Sequence, residues 1–198
     1  MALASEHPLS HRILHGLHLL CMIVLSVSGF YIHYPFAPGL MGTMRYLHFV
    51  AMYLFVVTLV LRIYLVFVGV NRDLAEWRFG KRDLAGIGQT IRYYLFLERE
   101  PAQTGKYNPL QKSTYYFIAL LMIFQALTGF SLYWREQPFF AWLLGLVGGL
   151  ANMRSIHFIT MWIFFAIVLG HVYMVFTEAY DRFLLMFFGI ERKPAASR

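Results

Sequence analysis

The sequence predicts an all-α membrane protein, a four-transmembrane-helix bundle, on three observations. The chain has 198 residues, of which 59% are hydrophobic and 18% aromatic. A soluble domain of this size has too little interior to hide so much apolar surface. Only 14% of residues are charged, and they cluster between long apolar runs. Four of these runs, Ile13–Ile32, Tyr46–Val70, Thr114–Tyr133 and Ser155–Phe176, are long enough to cross a hydrocarbon core about 30 Å thick. All four are expected to be helical, because a backbone in lipid must satisfy its own polar groups. The whole chain, residues 1–198, reads as one integral membrane domain.

The first run has no small-residue cleavage site behind it and is expected to be a retained helix. It holds Cys21, the one cysteine, which excludes an intrachain disulfide, a cysteine-bound iron–sulfur cluster and a thiolate zinc site on this chain alone. The second and third runs are joined by a long loop, about 71–113, carrying Arg72, Arg78, Lys81, Arg82, Arg92, Arg99, Lys106 and Lys112. The C-terminal tail adds Arg182, Arg192, Lys193 and Arg198, whereas the other two connections hold only Arg45, Arg135 and Arg154. Lysine and arginine mark cytoplasmic loops, so the central loop and both the N and C termini are expected to be cytoplasmic. The net charge of +7 is thereby read as an orientation signal and not as nucleic-acid binding. The loop is amphipathic around Thr90–Leu97 and is expected to lie on the membrane surface. Pro138–Leu150 is apolar but too short and too rich in glycine (Gly145, Gly148, Gly149) to cross, and reads as interfacial or re-entrant.

The histidines carry the chemistry. His157 and His171 lie 14 residues apart in one apolar segment with no other ionisable residue between them. On a helix that is nearly four turns, or roughly 21 Å of rise, so both rings point to about the same face at two depths. The predicted topology puts His15 at the cytoplasmic start of the first helix and His48 at the outer start of the second. His157 falls near the outer side and His171 near the inner side. Depth alone therefore pairs His48 with His157 outside, and His15 with His171 inside. Low-spin haem b needs two axial nitrogens per iron, and two such pairs would hold two haems. Arg12, Arg45 and Arg154 each stand three residues before a proposed ligand, on the same helix face, where an arginine can bind a haem propionate. Arg62, 14 residues after His48, falls at the inner depth. Gly29, 14 residues after His15, leaves the first helix without a side chain near the outer macrocycle. Its surroundings Val27-Ser-Gly-Phe30 are echoed by Leu127-Thr-Gly-Phe130 on the third run, where Gly129 falls at a similar depth.

Other readings stay open. A histidine in a membrane helix can be a packing residue, and arginines at helix starts can be interfacial anchors. His18 lies three residues from His15 on the same side, so helical phase does not separate them; the Arg-x-x-His pattern favours His15. His7 and His11 are expected to be solvated, although His11, His15 and His18 could form a weak surface metal site. His33 is expected in the outer headgroup region.

The stretches Arg12-Ile-Leu-His15, Tyr46-Leu-His48-Phe, Leu61-Arg-Ile-Tyr64 with Val66-Phe-Val-Gly69, Ile91-Arg-Tyr-Tyr-Leu-Phe-Leu97 and Gly170-His-Val-Tyr-Met174 together resemble the cytochrome b subunit of membrane-bound nickel–iron hydrogenases. The cytochrome b subunits of formate dehydrogenase and thiosulfate reductase form a wider similar group. The Asn-Pro turn within Gly105–Lys112 looks closer to that wider group, whereas the second run and its exit look closer to the hydrogenase branch.

The resemblance implies an electron-transfer and quinone-reducing subunit of a larger oxidoreductase in a bacterial inner membrane. An iron–sulfur subunit and a catalytic subunit, expected to be a nickel–iron hydrogenase facing the periplasm, would supply electrons through two haems b. Quinone is expected near the start of the third helix, where Tyr107, Asn108, Gln111 and Lys112 fall level with the inner haem. Asn108-Pro109 reads equally well as a helix cap, and Glu98 and Glu100 as proton relays or plain loop charges. The alternatives are a cytochrome subunit of formate dehydrogenase, thiosulfate reductase or a similar enzyme, and, further off, a cofactor-free anchor or a transporter.

Overall fold

The computed structural model describes residues 7–68, 78–102, 105 and 108–191. Among them the chain forms α1 (Leu9–His33), α2 (Met41–Val68), α3 (Lys81–Tyr94), α4 (Pro109–Tyr133), α5 (Pro138–Leu146), α6 (Leu150–Glu178) and α7 (Tyr180–Phe188). Four of these, α1, α2, α4 and α6, are long and apolar enough to cross a membrane. They correspond in order to the four apolar runs.

Each begins four or five residues ahead of its run: Leu9 against Ile13, Met41 against Tyr46, Pro109 against Thr114 and Leu150 against Ser155. Hydropathy marks the thickness of hydrocarbon, whereas the hydrogen-bonded ladder continues into the headgroup region. Those added turns hold the polar residues, including Arg12, Arg45, Lys112 and Arg154.

Two segments differ from expectation. The amphipathic stretch of the central loop is a helix over Lys81–Tyr94, so it starts well before Thr90 and stops short of Leu97. Phe96 adopts a left-handed backbone with φ 61°, which breaks the helical path there. The C-terminal tail, expected only as a basic extension, contains α7, closed by Gly189 at φ 72° as a left-handed cap. The short apolar piece is the nine-residue α5, too short to cross. It turns into α6 through Gly148 and Gly149, both at positive φ, and Asn152 donates its side-chain amide to the Val147 carbonyl at 2.8 Å.

The elements group into two units. One contains α1, α2, α7 and the last residues of α6; the other contains α3, α4, α5 and the rest of α6. In the first, α1 buries His11, Leu14, His18, Cys21, Ser28 and Tyr31. Their spacing of about three and four residues is a seam. Across it α2 buries Ala51, Met52, Phe55, Thr58 and Leu59. Small and polar residues (His18, Cys21, Ser28, Ala51, Thr58) are buried here beside Leu14, Met52, Phe55 and Leu59, while other large apolar ones such as Leu20, Ile23, Val57 and Val60 are exposed. That is the arrangement of a protein whose solvent is lipid: apolar burial gives helices little reason to associate there, and close packing with interhelical hydrogen bonds supplies it.

In the second unit α3 is tied to α4 by an ion pair. Lys112 Nζ lies 2.9 Å from Asp83 Oδ1, with side-chain exposures of 7% and 5%. Asp83 also accepts from the Gly80 backbone N–H at 2.8 Å. Nearby, the fully buried Thr90 donates to the Gly86 carbonyl at 2.9 Å and accepts from the Ala102 N–H at 3.4 Å. Asp83, Gly86 and Thr90 thus form the docked face of α3, while Leu84 and Ile91 are exposed. At the other end of α4, Phe130 stacks on Trp134 at 5.0 Å, and both meet Phe140 of α5.

Replacing Lys112 by Met leaves a buried, unpaired Asp83 carboxylate and is expected to loosen α3 by about 3–5 kcal/mol. Hydrogen exchange of the α3 amides in detergent reads this directly. The double variant Asp83→Leu with Lys112→Met should recover most of the protection; equal protection in wild type and Lys112→Met would contradict the ion pair as the tether.

Candidate functional site

The structure places Arg12 and His15 on α1, Arg45, His48 and Arg62 on α2, and Arg154, His157 and His171 on α6, each helix continuous between them. The three Arg-x-x-His pairs therefore share helix faces as the spacing requires.

His48 turns toward α1. Its Nδ1 lies 3.0 Å from the Ser28 hydroxyl, and its Cε1 would be 3.2 Å from a Cβ at Gly29. The vacancy at Gly29 was expected to admit a macrocycle; what lies against it is the His48 ring itself. Ser28 is nearly fully buried and reaches back to the Val24 carbonyl on its own helix.

His157 turns toward α4 in the same manner. Its Nδ1 lies 2.7 Å from the Thr128 hydroxyl, which reaches the Gln125 carbonyl at 3.1 Å. The Gln125 side-chain nitrogen lies 3.3 Å from His157 Nε2 and 3.2 Å from the His157 carbonyl. Fourteen residues further along α6, the His171 ring meets Tyr115 of α4 edge-on at 5.9 Å. Both histidines of α6 thus face α4, on one side of one unbroken helix.

On α1, packing separates what helical phase did not. His18 points into the α1–α2 seam, where Nδ1 donates to the Leu14 carbonyl at 2.8 Å, Nε2 lies 3.4 Å from the Thr58 hydroxyl and the ring meets Phe55 edge-on. His15 turns away from that seam and is exposed, with its ring edge-on to Phe187 of α7 at 5.7 Å. Arg62 is half-buried and within electrostatic range of His18. Arg12 lies against the C-terminal turn of α7, its guanidinium filling the space where Gly189 would carry a Cβ. Its Nε is a buried donor without an acceptor among the described residues. Arg45 and Arg154 are exposed.

Two expectations are corrected. His11 is not solvated but only 7% exposed, and His7 is half-buried. No group of three or more His, Cys, Asp or Glu side chains that would hold a metal ion exists among the described residues, so His11, His15 and His18 do not form a surface metal site. An iron held in a porphyrin makes no such demand, because the macrocycle supplies the equatorial ligands and the protein only axial ones. Imidazoles anchored at Nδ1, together with the orphaned Arg12 donor, fit that group.

Asn108 caps α4. Its Oδ1 accepts from the Gln111 N–H at 2.8 Å, Gln111 returns a bond to the Asn108 N–H at 3.2 Å, and its amide donates to the Tyr94 hydroxyl at 3.2 Å. Lys112 is committed to Asp83. Tyr107 lies outside the described residues. Glu98 and Glu100 are exposed.

Ser28, Thr128 and Gln125 are site residues that the sequence reading missed. The signal lies in the sequence: the two hydroxyl residues stand at matching places in the echoed tetrapeptides, each one residue before the glycine.

Residues 6–189 match the family model described as prokaryotic cytochrome b561. The chain is 34% identical to a protein of Escherichia coli (strain K12) named "Probable Ni/Fe-hydrogenase 1 B-type cytochrome subunit", over 88% of this chain and 86% of that one. It is 32% identical to the "Probable Ni/Fe-hydrogenase B-type cytochrome subunit" of Cupriavidus necator, over 84% and 76% of the two chains. With the similarly named subunit of Azotobacter vinelandii it shares 31% identity over 87% and 79%.

A methyl group at Gly29 meets the His48 ring at a distance tighter than ordinary carbon contacts. Gly29→Ala is expected to be tolerated with a small loss, and Gly29→Val to cost about 1–3 kcal/mol by overpacking. Thermal unfolding of the detergent-solubilised protein checks this; a Gly29→Val protein as stable as wild type would show that His48 does not rest there.

Proposed function

The chain belongs to the prokaryotic cytochrome b561 family, and from that premise we propose that it is the membrane-embedded b-type cytochrome of a nickel–iron hydrogenase, carrying electrons to membrane quinone. The observation that carries the reading is the layout of histidines on continuous helices. His157 and His171 stand 14 residues apart on one side of α6, with His48 near the start of α2 and His15 near the start of α1.

In this reading two haems b are held, an outer one by His48 and His157 and an inner one by His15 and His171. Haem b, when bound, supplies the one-electron redox chemistry. The chain's own residues do the rest. The four imidazoles would hold the haem irons, and Arg12, Arg45, Arg62 and Arg154 would offer guanidinium forks to haem propionates. Gly29 and Gly129 allow close approach of neighbouring groups. His15, turned away from the α1–α2 seam, is better placed to hold a haem than His18, whose ring is buried inside that seam edge-on to Phe55.

The termini and the central segment with α3 are assigned to the cytoplasm of a bacterial inner membrane by their lysines and arginines. The outer face then receives electrons from an iron–sulfur subunit, since this chain has no cysteine set for a cluster. Quinone is assigned to the inner side beside the start of α4, at Tyr107 and Asn108. The names of the relatives favour a hydrogenase partner over formate dehydrogenase or thiosulfate reductase.

His48→Ala and His157→Ala are each expected to remove the same haem. Reduced b-type absorbance should fall by about half, and hydrogen-dependent quinone reduction by membranes should fall at least tenfold. His15→Ala and His171→Ala should remove the other haem. Unchanged haem content in His48→Ala or His157→Ala would reject the outer pair, and a colourless wild-type protein would reject the function.

A further inference from the structure

We propose that Ser28 and Thr128 are positioning residues that hold His48 and His157 as Nδ1–H tautomers, present each Nε2 lone pair for coordination, and thereby set the reduction potential of the outer haem. The inference rests on the haem-ligand roles given above to these two histidines.

Donor and acceptor accounting supports it on both helices by separate routes. At His48, the Ser28 Oγ lies 2.5 Å from the Val24 carbonyl oxygen. Two oxygens at that distance repel unless a proton lies between them, and a carbonyl has none to give. The hydroxyl proton is therefore committed to Val24, and Ser28 meets His48 Nδ1 with a lone pair. Nδ1 is thus the protonated nitrogen.

At His157 the argument comes from the opposite side of the ring. The Gln125 side-chain nitrogen lies 3.2 Å from the His157 carbonyl oxygen, which fixes that end of the amide as the donor. The same nitrogen lies 3.3 Å from His157 Nε2. Nε2 is therefore an acceptor, Nδ1 carries the proton, and the 2.7 Å contact runs from Nδ1–H to Thr128 Oγ1. Gln125 meets the Nε2 lone pair that an iron would need, so its amide would have to turn aside for His157 to hold a haem. The two hydroxyls stand at the same place in Val27-Ser28-Gly29-Phe30 and Leu127-Thr128-Gly129-Phe130, each one residue before a glycine.

A hydrogen bond accepted from the outer nitrogen of a ligating imidazole fixes its tautomer and ring orientation and makes the inner nitrogen more basic. A more basic axial ligand favours ferric over ferrous iron, so the two hydroxyls lower the potential of the haem they serve.

The test is a spectroscopic redox titration of the purified hydrogenase–cytochrome complex carrying Ser28→Ala, Thr128→Val or Thr128→Ser. The expected result is that the same one of the two midpoints moves upward in Ser28→Ala and in Thr128→Val. The other midpoint should stay put, and Thr128→Ser should match wild type. Loss of one haem in Thr128→Val with its retention in Thr128→Ser also supports the proposal, since only the hydroxyl separates the two. Haem-replete Ser28→Ala and Thr128→Val proteins with wild-type midpoints would overturn it while leaving the cytochrome reading intact. So would a midpoint in Thr128→Ser displaced as far as in Thr128→Val. A wild-type complex without haem would overturn the underlying reading instead.

Discussion

An imidazole placed inside a bilayer has two nitrogens to satisfy and no water to satisfy them. One nitrogen carries a proton that must be donated, and the other carries a lone pair that must be accepted. Leaving either unmet in an apolar medium costs several kcal/mol. Partners for these rings come from neighbouring helices, Ser28 for His48, Thr128 and Gln125 for His157 and Thr58 for His18, and for His18 also from the Leu14 carbonyl of its own helix. Where both nitrogens are met by permanent protein groups, as at His18, the ring is a structural element of the α1–α2 seam. Where a hydroxyl meets Nδ1, as Ser28 does at His48 and Thr128 at His157, the ring is held in one orientation from the helix packed beside it.

The helices that carry these rings are held by the same economy of polar groups. Small and polar side chains share the α1–α2 seam with Leu14, Met52, Phe55 and Leu59, and Ser28 and Thr58 bond both their own backbone and a histidine across the seam. In the other unit a buried Asp83–Lys112 pair and the capping box of Asn108 and Gln111 fix the entry of α4 and the place of α3 beside it. Residues that the sequence offered as quinone contacts are therefore also what starts α4 in a defined direction. A cap and a binding group are compatible roles for Asn108, whose amide already reaches across to Tyr94.

The crossing helices were legible because lipid imposes a length and a composition that few other environments demand. Their true starts were not, because the polar first turns that carry Arg12, Arg45 and Arg154 lie outside the hydrocarbon that hydropathy measures. The register of His157 and His171 was legible from helical period alone. His15 and His18 were not separable by period, since three residues leave them on adjoining sides of one helix; the packing of α2 against one of them distinguishes the two. α7 was missed because a nine-residue amphipathic helix is scarcely distinguishable from a basic tail before its Gly189 cap is seen. The hydroxyl partners were missed because Ser28 and Thr128 look like ordinary helix residues until a histidine from another helix is placed beside each.

The most direct measurement is the haem-to-protein ratio of the purified chain, from the alkaline pyridine spectrum of extracted haem against amino-acid analysis. Two haems b per chain is the predicted value. A ratio of one would leave a single histidine pair, and a ratio of zero would contradict the account outright.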